Sequence, residues 1–80
     1  MLVGDLLNND GFDFNANYEI YDCTDRTVQW ADAGEPIYST AKNGYDTPPC
    51  RILDMEIVYV TINIKHHALV IEAVKQSGRE

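Results

Sequence analysis

The sequence predicts an α+β domain: a short N-terminal helix packed on a four-stranded antiparallel sheet made of two β-hairpins. Three observations lead there. Leu2, Val3, Leu6 and Leu7 recur at helical spacing. The segments 17–22 and 27–32 alternate apolar and polar residues across a short polar connection. The β-branched run "DMEIVYVTINI" is followed almost at once by "ALVIEAVK".

Residues 2–9 form a two-turn amphipathic segment with Gly4, Asp5 and Asn8 on its polar side. A helix this short is marginal alone and must dock on a sheet. Asp10-Gly11 supplies turn chemistry to end it. In the first expected hairpin Ile20 pairs with Val28 and Tyr18 with Trp30, which keeps these four residues on one face. Residues 33–53 carry Gly34, Pro36, Asn43-Gly44 and Pro48-Pro49, and read as a long irregular connection with a short helical turn near Ile37 to Lys42.

The second hairpin is the most strongly patterned part of the chain. Pairing Ile64 with Leu69, Ile62 with Ile71 and Val60 with Ala73 keeps one apolar face throughout, with His66-His67 at the tip. The helix is expected to cover this face, so Ile62→Ala should cost about 2–5 kcal/mol, and Asn63→Ala well under half as much unless the opposite face is covered too. The long apolar strand 54–64 is expected at the centre of the sheet, with "TVQWAD" or "ALVIEAVK" at an edge. The tail 76–80 has no pattern and is expected to fray.

The chain has 80 residues, 45% of them hydrophobic, which suits a single domain over residues 1–80 with one thin core. Its net charge of −7 is asymmetric. Residues 1–35 hold eight acids and one base, Arg26, giving −7; residues 36–80 hold five of each, giving zero. Such a surface repels nucleic acid and anionic membranes and suits a basic partner, and it equally suits a small domain whose acidic surface serves only solubility. The opening shows no secretory signal and no run approaches the ~20 apolar residues of a membrane helix, so a cytoplasmic location is expected. Cys23 and Cys50 are then expected as thiols, with a single bridge between them left open by the sequence.

The run "DGFDFNANYEIYDCTD" invites comparison with a calcium loop. Asp13, Asn15 and Asn17 fall at the first, third and fifth positions, but Tyr18 and Thr24 stand where the glycine turn and the bidentate glutamate belong. A polar turn leading into a strand is the better reading. His66-His67 reads as a solvated tip, because neighbours on a strand point to opposite faces. Asp22 and Asp25 beside Cys23 disfavour its thiolate, whereas Arg51 alone adjoins Cys50. No Ser-His-Asp set, phosphate loop or paired carboxylates appear. The expectation is therefore no enzyme, no catalytic residue, no metal site and no cofactor. Tyr21 and Tyr59 suit either an interface or packing together on the second face of the sheet, and Tyr38 and Tyr45 are also expected outside the core face.

The stretches "LVGDLLNND", "NYEIYDC", "ILDMEIVYVTI" and "HALVIEAV" resemble a loose group of small acidic proteins carried by phages and conjugative elements of Gram-positive bacteria. Residues 34–49 have no counterpart there. The resemblance implies an accessory protein of a mobile element, one concrete form being an inhibitor that mimics DNA charge against a host nucleic-acid-binding defence protein. The leading expectation is thus a non-enzymatic acidic protein-binding module. Asp13, Glu19, Asp22, Asp25, Asp32 and Tyr21 would face a basic protein surface. One alternative is a metal- or redox-responsive module using Cys23, Cys50 or His66/His67; another is self-association as a homodimer through a sheet edge.

Overall fold

The computed structural model describes residues 1–8, 17–24, 29–44 and 47–75. It is α+β, with a four-stranded sheet and a few short helices. Helix α1 (Val3–Leu7) is followed by β1 (Tyr18–Asp22), a 3₁₀ turn (Trp30–Asp32), β2 (Tyr38–Ser39), α2 (Thr40–Asn43), α3 (Cys50–Leu53), β3 (Glu56–Asn63) and β4 (Ala68–Val74). The strand order is β2-β1-β4-β3.

The sheet is mixed, not antiparallel throughout. β1 runs parallel to β4, with Tyr18 opposite Leu69, Ile20 opposite Ile71 and Asp22 opposite Ala73. The reason lies in burial. Both strands are covered on both faces, as parallel strands usually are. In β1 Tyr18, Glu19, Ile20 and Tyr21 are all buried, and in β4 all but Leu69 are. The expected first hairpin does not form. β1 pairs instead with the two-residue β2, inside the region expected to be irregular. Trp30 stands on the 3₁₀ turn, and Val28 lies outside the described residues, as do Asp10-Gly11 and the tail.

The β3–β4 hairpin is present, shifted by two residues from the expected register. Ile62 faces Leu69 and Val60 faces Ile71. A two-residue shift preserves the facing of every side chain. Its cause is the turn, which takes in Ile64 to His67 and withdraws Ile64 from the ladder. His67 closes the turn at φ 52°, a left-handed value that histidine tolerates better than bulkier residues. The pairing also slips between Ile57 and Tyr59, which makes Val58 the extra residue of a bulge.

Two cores result. On one face Val3 and Leu7 of α1, Ile52 of α3 and Met55 just after it pack against Tyr18, Ile20, Tyr38, Ile71 and Ala73. Gly4 allows the two helices to meet, because a Cβ there would stand 3.3 Å from both Leu53 Cβ and the Leu53 carbonyl oxygen. The Leu2 backbone N–H donates to Asp5 Oδ2 at 3.1 Å and so caps α1. On the other face the 3₁₀ turn brings Trp30 and Ala33 over Tyr21, Cys23, Val70 and Val74. Trp30 therefore packs on the face opposite Tyr18 and Ile20, contrary to the expected hairpin.

β3 is an edge strand, not a central one. The apolar face of the hairpin continues the face under α1 and α3, but these helices cover β1, β4 and only Ile57 at the start of β3. Val58, Val60, Ile62 and Ile64 remain 40, 42, 62 and 82% exposed. No helix among the described residues is long and apolar enough to cross a membrane.

Candidate functional site

Strand alternation places Glu19 and Tyr21 of β1 on the Trp30 face, beside Val70 and Glu72 of β4. Two carboxylates are thereby buried in a small domain, Glu19 at 6% exposure and Glu72 at 8%. Each has partners, as a buried charge requires. The Trp30 backbone N–H donates to Glu72 Oε2 at 3.1 Å. The Tyr21 hydroxyl donates to Glu19 Oε1 at 3.0 Å, and His66 Nδ1 lies 2.6 Å from Glu19 Oε2.

Two groups compete for one ring nitrogen of His66. Asn63 Nδ2 also approaches His66 Nδ1, at 3.2 Å, and it is a donor. Nδ1 cannot accept from the amide and donate to the carboxylate with one proton position. The shorter contact is with the ionisable acceptor, so Nδ1–H donates to Glu19. The role of Asn63 is then carried by its Oδ1, which accepts from the His66 backbone N–H at 3.3 Å. Together these bonds tie the β3–β4 turn to β1. The expected solvated tip is thus half correct: the His66 side chain is 59% exposed, yet one ring nitrogen is anchored on a carboxylate 47 positions away in sequence.

This network borders a groove of about 510 Å³ lined by Glu19, His66, Ala68, Ser39, Thr40 and Lys42, among others. Its hydroxyls already serve the fold. Thr40 Oγ1 accepts from the Tyr18 backbone N–H at 3.2 Å and lies 3.1 Å from Asn17 Oδ1. Ser39 Oγ accepts from the Lys42 backbone N–H at 3.2 Å and caps α2, while Asn43 Oδ1 accepts from the Ser39 N–H. Gly44, at φ 76°, ends that helix. The Lys42 ammonium pairs with Glu35 at 2.7 Å on the open surface, which lowers the Glu35 carboxyl below its ordinary range.

Burial, then the bond to Glu19 and its charge, push the Tyr21 phenol up to about 12. Burial, with Glu72 and Asp22 nearby, raises the Cys23 thiol. Glu72, distant in sequence, ranks ahead of the neighbouring Asp22 expected to act on this thiol. Cys23 and Cys50 are both free, one buried and one exposed.

Of the residues expected to face a basic partner, those among the described residues are not gathered on one surface. Glu19 and Tyr21 are internal and bonded to each other. Asp22 is half-buried and accepts from the Thr24 backbone N–H and hydroxyl. Asp32 is exposed on the 3₁₀ turn; Asp13 and Asp25 lie outside the described residues. Among the described residues the other exposed acids are Asp5, Glu35, Asp54 and Glu56. Tyr21 takes the packing role, against Trp30 with ring centroids 5.8 Å apart, whereas Tyr59 is 54% exposed. Tyr38 is buried and stacks at 6.5 Å on Tyr18; Tyr45 lies outside the described residues.

Asn63, Glu72 and the Glu19–His66 pair escaped the sequence reading. The one available signal was Glu72, an acid inside an otherwise apolar strand that needs partners if the strand is buried. Comparison with protein-family models, with curated proteins and with solved structures finds no match to this chain.

Proposed function

We propose that this chain is a non-enzymatic protein-binding module whose contact surface is the β3 edge. One observation carries the reading: an eight-residue edge strand bears an exposed apolar row, Val58, Val60 and Ile62, extended by Ile64 and flanked by Tyr59. Large apolar side chains grouped on one edge of a small domain mark an interaction site. Natural edges are kept from pairing by brevity, lysine, proline or a bulge. The other edge, β2, is two residues long. β3 has neither lysine nor proline, and its bulge lies at its start.

The non-enzymatic part draws support from the groove, where Ser39 and Thr40 bond within the fold and His66 is anchored to Glu19. The Asp32 side of the molecule contributes steering more than contact area. Immobilised wild-type chain and Ile62→Lys chain, each challenged with soluble wild-type chain and with a cell extract, test the reading. Retention by the wild type that Ile62→Lys loses is expected. Equal retention by both, or none by either, removes it.

A further inference from the structure

We propose that His66, backed by Glu19, is a ligand for a transition-metal dication, with His67 as the second donor. This site does not depend on a partner at β3.

A histidine that ligates a metal through one ring nitrogen almost always donates its other ring N–H to a carboxylate, a carbonyl or water. His66 is arranged in that way. Its Nδ1–H is given to Glu19 Oε2 at 2.6 Å, so the lone pair of the neutral ring lies on Nε2. Among the described residues no hydrogen bond occupies Nε2, and the side chain is 59% exposed.

The carboxylate behind the ring is itself held. Glu19 is buried, and its Oε1 accepts from the Tyr21 hydroxyl at 3.0 Å. The His66 backbone N–H is held by Asn63 Oδ1 at 3.3 Å. The ring is thus oriented before an ion arrives, and little side-chain freedom is lost on binding.

His67 supplies the second donor. Neighbours on an extended strand point to opposite faces. Here both histidines belong to the turn that takes in Ile64 to His67, and His67 has φ 52°. A left-handed residue is not extended, so strand alternation does not apply to the pair. Both residues are exposed.

Donor chemistry sets the class of ion. Two imidazoles suit Ni²⁺, Cu²⁺ and Zn²⁺, whereas Mg²⁺ and Ca²⁺ take oxygen ligands. Among the described residues no group of three or more His, Cys, Asp and Glu side chains is arranged to hold one ion. The protein therefore contributes two donors and leaves the other positions to water, which makes an open site of modest affinity. Charge favours a cation. A carboxylate behind a neutral imidazole forms an anionic pair, and the whole chain carries −7. The Lys42 ammonium, in the same groove, is taken by Glu35 at 2.7 Å, which leaves Lys65 of the turn as an opposing charge.

The test is a Ni²⁺ titration of the Cys50→Ser chain, which lacks the exposed thiol, followed by calorimetry and by the imidazole resonances. One equivalent is expected to bind, with Ca²⁺ and Mg²⁺ inert. His66→Gln should abolish binding. His67→Gln should weaken it by more than the ~10-fold that loss of an outer partner costs. Glu19→Gln keeps an acceptor for Nδ1–H and removes the charge behind the ring. It should weaken binding about 10–100-fold, with Nδ1 still the protonated nitrogen by ¹⁵N shift. Affinity that Glu19→Gln leaves unchanged in a folded chain overturns the proposal, as does binding matched by Ca²⁺ or no binding at millimolar Ni²⁺. If Glu19→Gln does not fold, the histidine variants decide: a loss confined to His67→Gln, or seen in neither, overturns it.

Discussion

Val60 stands directly opposite Ile71 across the β3–β4 pair, yet Val60 is 42% exposed and Ile71 is fully buried. The two share one face of one sheet and differ only in what lies above them. At this point along the strands the helices end over β4, and this boundary separates residues that hold the fold from residues that offer a surface.

Ile71→Ala should open a cavity under the helices and cost about 2–5 kcal/mol. Ile62→Ala, at a side chain 62% exposed, should stay within about 0.5 kcal/mol. The large loss expected for Ile62 from its place in the hairpin thus belongs to Ile71. Urea denaturation of the two variants checks it; a loss at Ile62 equal to that at Ile71 would mean that β3 is covered in the free protein.

Asn63 falls under the exception to that expectation, because its own face is covered. It is buried and accepts from the His66 backbone. Asn63→Ala should cost about 1–2 kcal/mol, more than Ile62→Ala, because it releases the turn that carries His66. The same denaturation series ranks them. Amide exchange should show the loss centred on residues 64–67.

Tyr21 gives stability an alkaline limit. Its phenol has an ordinary value near 10 in the unfolded chain and is raised to about 12 in the fold, first by burial and then by Glu19. An acid whose folded value is raised contributes fully below the unfolded value and loses that contribution as pH rises through the folded one. Stability should therefore decline between about pH 10 and 12, and Tyr21→Phe should make the decline shallower. Tyr18, raised by burial and by Tyr38, adds a remainder in the same direction. Thermal melts across this window measure both; an unchanged slope in Tyr21→Phe would assign the decline to other groups.

The thiols should react in two phases. Cys50 is exposed and Cys23 is buried with its thiol raised. A thiol reagent should titrate one cysteine at once in the folded protein and the second only on unfolding. Cys50→Ser should remove the fast phase and Cys23→Ala the slow one. Two fast phases would show that the Trp30 turn opens readily over Cys23.

The β3 and β4 elements were legible because β-branched alternation is a local signal. Their register was displaced because four turn residues, Ile64 to His67, join them; His66-His67 suit a two-residue turn poorly, which signals a wider loop but not where it ends. Trp30 misled for a related reason. Val28 and Trp30 alternate like a strand, but two positions do not distinguish a strand from a 3₁₀ turn that buries one side chain. The parallel pairing of β1 with β4 left a fainter mark: "ALVIEAV" is nearly continuous in apolar residues, as a strand covered on both faces should be, whereas "EIVYVTIN" carries polar residues at both ends and Thr61 within. The site was the least legible part. Glu19 and His66 meet only because β1 lies beside β4, and Glu19 read as a surface acid when that neighbour was unknown.

The parallel pairing also sets an order of assembly. Tyr18 and Leu69 are opposed although 51 positions separate them in the chain, and closing so long a loop is slow compared with closing a hairpin. On a nascent chain β1 emerges early and waits, its Tyr18 and Ile20 without the central strand, until β4 has left the ribosome. The β3–β4 hairpin is then the expected nucleus, with docking of β1 onto it as the expected late step, an order that pulse-labelled amide exchange during refolding checks.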